Sequence, residues 1–340
     1  MVTRYLPQPH TSSLPPQGAL LSWILRLTWW VASGLATLRG MSLLKSRLIE
    51  LRQGNTRALL YPEQGFQLYG FDVKLKDDRT VSAIYAGDGP TEPWDRRHGN
   101  PILFPNICDS YVGDRQGVWQ WDGKELLMPQ HGWARDLYYY IEERDDTSLT
   151  AKLAKPHSLA IAYPFDFDLR LRYRVEERSL ILETEVQSRD ERPFPYALGF
   201  HPYLRAPLTN DSSRSHCEVA LPSAVRVTSP DTWKTLHEHE IEEQTLKAND
   251  PTLGEGIVLE RSHTDSLSIQ DHASGLQTTV SVADSPDPLP VWAAWCEAPD
   301  SDYVCLEPWT SGPNPLAKDA VILQPGGTHR YRMTITLSDN

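Results

Sequence analysis

The chain has 340 residues with 40% hydrophobic and 9% aromatic content, enough to bury a substantial core in one large domain or two ordinary ones. Its formal net charge of −12, with acidic residues scattered along the chain, argues against the concentrated basic surface that a phosphate-backbone binder needs, so nucleic acid is not an expected partner. The four cysteines, Cys108, Cys217, Cys296 and Cys305, show neither CxxC pairing nor zinc-ligand spacing and read as reduced and mostly buried; Cys296 with Cys305 is the pair to close a disulfide if the chain were exported.

The first forty residues stand apart. Residues 1–18 are rich in Pro, Ser and Gln, and residues 19–38 form an apolar stretch about long enough to cross a bilayer, with Arg26 in its middle. A central arginine costs roughly 2.5–3.5 kcal/mol, which makes a marginal span. The segment fits a weak anchor or export signal, a membrane-surface helix with Trp29 and Trp30 at the interface, or an extension upstream of a soluble enzyme that begins near Met41. The last is the reading adopted. It implies a cytoplasmic protein, with membrane contact only if the apolar segment is an anchor, and the domain proper over residues 46–340.

From residue 46 onward, short β-branched or aromatic runs alternate with turn clusters. Thr80–Tyr85, Asp168–Val175, Leu180–Val186, Leu276–Val282 and Tyr331–Leu337 are predicted strands. In the second, Leu169, Leu171, Tyr173 and Val175 alternate with Arg170, Arg172 and Arg174, so one face is apolar and the other charged. Glu176–Ser179 turns it into the next strand. Helical periodicity is almost absent, and 27 prolines and 20 glycines punctuate the runs, which predicts an all-β fold, a large antiparallel sandwich or barrel. Residues 205–256 are more polar and are expected to be long connections between strands.

Four clusters combine ionisable groups, aromatic rings and rigid backbone, as a sugar site requires. They are Arg97–Asn106, Pro129–Arg135, Gly199–Tyr203 and Cys305–Thr310. His201 precedes a proline and so sits in extended backbone, where a lone histidine is more often a structural hydrogen-bonder than a catalyst. Glu307 also precedes a proline, between Leu306 and Trp309, and a carboxylate in such apolar company needs a partner or a solvated cleft. His131 and Arg135 flank Gly132, which favours a loop over a helix. The plain alternative for Arg97 is a surface ion pair, and for Trp133, Trp309 and Phe104 it is core packing. The run from His237 to Glu243 has metal-binding residue types without an HExxH arrangement and is expected to be a solvated loop. No phosphate-cradling glycine loop, serine nucleophile elbow or dinucleotide fingerprint appears, and no cofactor or metal is expected.

Taken in order, the four clusters resemble the aldose 1-epimerase superfamily: Arg-x-Gly-x-Pro-Ile-Leu-Phe-Pro, Gln-His-Gly-aromatic-Ala-Arg, Gly-aromatic-His-Pro-Tyr and a late Glu-Pro-Trp, across residues 50 to 338. The resemblance implies the galactose mutarotase-like β-supersandwich and an isomerase that interconverts the α and β anomers of a hexose or hexose phosphate. By the same resemblance His201 is the general acid on the ring oxygen and Glu307 the general base on the anomeric hydroxyl. His131 contacts sugar oxygens, Arg97 and Arg135 hold hydroxyls or a phosphate, and Trp309 lines the sugar. The first motif lacks the Gly-Arg and Asn-Arg of typical galactose mutarotases and is closer to the hexose-6-phosphate mutarotase branch, although His98 stands where a second glycine is common. The family's acidic sugar-binding residue has Glu255 as its nearest counterpart by position and Asp265 as the next. A mutarotase would set His201 and Glu307 on opposite sides of one hexose-sized pocket; a carbohydrate lyase or hydrolase is another alternative, and hydrolysis would need a second carboxylate facing Glu307 along an open groove. A sugar-binding module of the same fold is the remaining alternative, and the sugar is the one expected partner.

Overall fold

Strand alternation dominates the computed structural model, which describes residues 48–87, 96–229 and 233–339. The expected extension over residues 1–40 lies outside them. Phe167–Glu176 and Ser179–Ser188 pair antiparallel through a tight turn in which Arg178 adopts φ 60°. Along the first of these strands Leu169, Leu171, Tyr173 and Val175 are buried, as the period of two predicts, while the intervening arginines face outward.

This hairpin is the centre of a nine-stranded antiparallel sheet. Its order is Tyr139–Arg144, Ser148–Leu153, Phe167–Glu176, Ser179–Ser188, Thr328–Asp339, Leu276–Ser281, Ser266–Asp271, Cys217–Leu221 and Gln244–Lys247. A second sheet of eight strands runs His237–Ile241, Ala224–Thr228, Ile257–Glu260, Val291–Trp295, Tyr303–Trp309, Gly199–Phe200 and Ile102–Leu103, with Tyr203–Arg205 also paired to Tyr303–Trp309. Leu171, Leu182 and Met333 of the first sheet share one core with Leu259, Trp292 and Leu306 of the second, which makes the fold an all-β sandwich. Each fully buried leucine at this seam contributes roughly 1.5–3 kcal/mol, more than an exposed ion pair does. Leu103, Val258, Ala293 and Trp309 form a smaller apolar cluster with Cys108.

Two expectations need correction. Residues 205–256 are not merely connections: Cys217–Leu221 and Gln244–Lys247 join the first sheet, and Ala224–Thr228 and His237–Ile241 join the second. The run at His237 is accordingly an edge strand rather than a loop, and its charged, exposed residues suit an edge because they discourage pairing with another chain. All four cysteines are buried and free. Cys305 is in register with Trp295, so the next residue, Cys296, is directed to the opposite face, where its thiol donates to the Ala298 carbonyl at 3.3 Å. Among the described residues no helix is long and apolar enough to cross a membrane.

Candidate active site

Two of the sequence clusters are zipped together by backbone. The Phe104 carbonyl accepts from Trp133 and Ala134, and the Phe104 N–H donates to His131 O at 3.2 Å. Gly132 makes this possible: it has φ +70°, and a Cβ there would sit 2.2 Å from Phe104 O. His131 itself lies at φ 62° and Cys108 at φ 56°, both in the left-handed region that side chains rarely occupy. Each holds the other: His131 N–H donates to Cys108 O at 3.0 Å, and Cys108 N–H donates to His131 Nδ1 at 3.1 Å. Because Nδ1 is the acceptor, the proton of neutral His131 is on Nε2.

His201 lies between the short strands Gly199–Phe200 and Tyr203–Arg205. Its backbone N–H donates to Asn100 Oδ1 at 3.0 Å, and the Asn100 amide donates to the Tyr173 hydroxyl in the core. Its ring stacks on Tyr203, with centroids 4.8 Å apart and planes 8° from parallel, and meets Trp295 and His131 edge-on. Glu307 is on Tyr303–Trp309, directly opposite Ala293, whose small side chain takes little of the space beside the carboxylate. Trp309 packs so closely on Gly199 that a Cβ there would meet its Cδ1 at 2.5 Å.

His201 Nε2 is 3.4 Å from Glu307 Oε2, with the two side chains only 9% and 3% exposed. Burial pulls His201 down to about 3, with the positive field of Arg135 adding to the shift. Burial pushes Glu307 well above the usual carboxylate range; the Trp309 indole N–H opposes this from beside the carboxylate without closing a full hydrogen bond. His131 is held well below its ordinary value by burial, then by Arg135 and His201. A buried pair of this kind resists carrying two separate charges, so it holds one proton between an acid and a base. Among the described residues, Glu307 Oε2 and His201 Nδ1 have no hydrogen-bond partner.

The aldose 1-epimerase family model matches residues 47–336. The chain belongs to the aldose 1-epimerase family. Protein LacX, chromosomal, from Lactococcus lactis subsp. lactis is 24% identical over 251 residues, 70% of this chain and 81% of LacX. The crystal structure of the Slr1438 protein from Synechocystis sp. PCC 6803 is similar at TM-score 0.71 and 21% identity, covering 86% of this chain and 96% of that one. A galactose mutarotase-like protein from Lactobacillus casei ATCC 334 superposes at TM-score 0.70 and 20% identity, covering 86% and 100% respectively. These likenesses establish the galactose mutarotase-like sandwich.

Within this family member, the structure gathers His201, Glu307, His131 and Trp309 and places Arg135 close enough to act on both histidines. Arg135 is partly buried and donates to the Gln130 carbonyl at 2.7 Å. Arg97 is at the surface, paired with Glu297 at 2.7 Å. Glu255 ends the 3₁₀ turn Pro251–Glu255 with its side chain 73% exposed, and its ion pair is with Arg226 at 3.7 Å. It is thus tied to the Ala224–Thr228 strand rather than to His201 and Glu307. Asp265 is exposed at the start of Ser266–Asp271 in the other sheet, so it is no part of the group around His201. Trp309 is 3% exposed and belongs to the smaller core, so it serves as the floor beneath Glu307 rather than as an open platform. His201 and Glu307 are side by side, not across a pocket. Sequence reasoning did not single out Asn100, Cys108, Tyr203 or Trp295 for roles of their own; the first three lie inside or beside the motifs, but the contacts of Asn100 and Cys108 are made across long sequence separations, and the stacking of Tyr203 on His201 depends on ring orientation.

Proposed function

We propose that the chain is an isomerase that interconverts the α and β anomers of a hexose by acid–base catalysis, with His201 as general acid and Glu307 as general base. The observation that carries this reading is the 3.4 Å approach of His201 Nε2 to Glu307 Oε2 in a buried site. Opening the hemiacetal ring removes the proton of the anomeric hydroxyl and adds one to the ring oxygen as the bond from the anomeric carbon to the ring oxygen breaks. Protonated His201 delivers the second proton while ionised Glu307 takes the first, so the pair begins and ends with one proton in total. The free aldehyde rotates, and the same steps in reverse close the ring on its other face.

Burial suits both groups. An imidazolium destabilised by burial and by Arg135 is a strong acid toward the weakly basic ring oxygen, and a carboxylate stripped of water is a strong base. His131, fixed as an Nε2–H donor by Cys108, is oriented to hydrogen-bond a sugar oxygen. Arg135 is the cation to hold a hydroxyl, while Arg97 would have to surrender Glu297 to hold a phosphate.

Saturation-transfer NMR of glucose, galactose and glucose-6-phosphate with the full chain tests the reading. Anomer exchange is expected to accelerate on at least one sugar, and His201→Ala and Glu307→Ala each to slow it by roughly 10²–10⁴. A folded parent chain that accelerates none of them is a sugar-binding module instead.

A further inference from the structure

The catalytic pair has a third neighbour that the proposed reaction does not use. Cys305 is two residues before Glu307 on Tyr303–Trp309, so both side chains leave the same face of the strand. Its Sγ, a ring nitrogen of His201 and a carboxylate oxygen of Glu307 all lie within 4.8 Å of one another, and all three residues are buried. Thiolate, imidazole and carboxylate are the donor types that zinc takes. Bonds of about 2.0–2.3 Å at tetrahedral angles set donors roughly 3.3–3.8 Å apart. His201 Nε2 and Glu307 Oε2 already have that spacing, at 3.4 Å.

Charge and hydrogen bonding agree. One divalent ion is matched by one thiolate and one carboxylate beside a neutral imidazole, so the occupied site buries no net charge. Two protons leave to solvent on binding, the thiol's and the one that His201 and Glu307 hold between them. Glu307 Oε2, without a hydrogen-bond partner among the described residues, has lone pairs to give. We propose that Cys305, His201 and Glu307 form a binding site for one zinc-type divalent cation, whose occupancy shuts off the acid–base pair. The binding half stands on this geometry alone; the inhibitory half rests on the mutarotase reading.

The test titrates cadmium chloride into the full-length protein and records the thiolate-to-cadmium absorption band in the ultraviolet. A band that saturates at an equimolar ratio, persists in Cys108→Ser and disappears in Cys305→Ser is the expected result. Near-ultraviolet circular dichroism checks that each variant is folded, and Cys305→Ala replaces the serine variant if that one is not. No band with folded parent protein, or a band that survives loss of Cys305, overturns the site. In parallel, zinc sulfate is expected to slow anomer exchange reversibly, with EDTA restoring it, and Cys305→Ser is expected to need about ten-fold more zinc or higher relative to its own metal-free rate. Equal zinc sensitivity in parent and variant overturns the inhibitory half. Because the band does not depend on sugar chemistry, a protein that shows it yet exchanges no anomers would sink the mutarotase reading and leave the metal site standing.

Discussion

On the outer face of the nine-stranded sheet, charges meet in rows across three strands: Arg170, Glu185 and Arg330 form one row, and Arg172, Glu183 and Arg332 the next. Their ion pairs span 2.7 to 4.0 Å, and every member is at least a quarter exposed. Around His201 and Glu307 the same kinds of groups approach at 3.4 Å with almost no exposure. In the rows, register supplies each carboxylate with cations on both sides and water solvates the remainder. In the site, water and counter-charge are both withheld, and the protonation states move far from their ordinary values. The proposed proton transfer is placed where the fold leaves charge uncompensated, not where it collects the most charge.

The largest expected effect is on activity. If His201 and Glu307 hand one proton around, each alone is nearly useless without the other. The double variant His201→Ala, Glu307→Ala is therefore expected to be slower than the worse single variant by no more than about ten-fold. Losses that multiply in full would show two independent groups and break the pair as a unit.

Next in size is a stability effect of opposite sign. Glu307 is held above its ordinary value of 4.5, so the folded chain keeps a proton that the unfolded chain loses. Its favourable contribution is complete below that pH and is lost as pH rises toward the folded value. Glu307→Gln, which imitates the protonated acid, is expected to abolish activity and yet gain about 1–3 kcal/mol over the parent above neutral pH, with no gain below pH 4.5. Denaturant midpoints across that range decide it; a gain independent of pH would mean that Glu307 is ordinarily ionised in the folded chain. His201 has the reverse sign: held near 3 against an ordinary 6.5, it costs the parent stability as pH falls through that window.

A smaller effect is expected at His131. Its Nε2–H is fixed by the Cys108 backbone, so His131→Ala removes one aimed donor and is expected to cost about 1–3 kcal/mol in kcat/KM, with fold and pH profile largely kept. A change in the pH profile as large as that of His201→Ala would make His131 a proton-transfer group instead.

Legibility in the sequence followed the range of the forces involved. The strand Phe167–Glu176 and its turn were readable because alternation and hairpin geometry are local. His201 and Glu307 were readable because prolines and aromatic residues frame them in short motifs. The reciprocal hold between Cys108 and His131 was not, since it joins two loops 23 residues apart through left-handed backbone that neither residue type advertises. The surroundings of Glu255 were hidden for a complementary reason: position along the chain suggested a role, but its ion pair with Arg226 joins residues 29 apart that only the fold brings together. The polar stretch 205–256 concealed strands because its edge strand, His237–Ile241, has little apolar surface to bury.

The rows of charge supply the smallest effect and the control for all the others. Arg332 donates to Glu183 at 2.7 Å, and both side chains are near one-third exposed. Water then competes for each group, and two long side chains must be ordered to meet. A double-mutant cycle with Arg332→Ala and Glu183→Ala is expected to give a coupling of about 0.2–1 kcal/mol, reduced by added salt, with anomer exchange unchanged. A coupling well above that range would mean that Arg172, on the far side of Glu183, locks the row into a cooperative unit. Burial would then no longer be what separates the two regions, and cooperation among neighbouring charges would have to be weighed at the site as well.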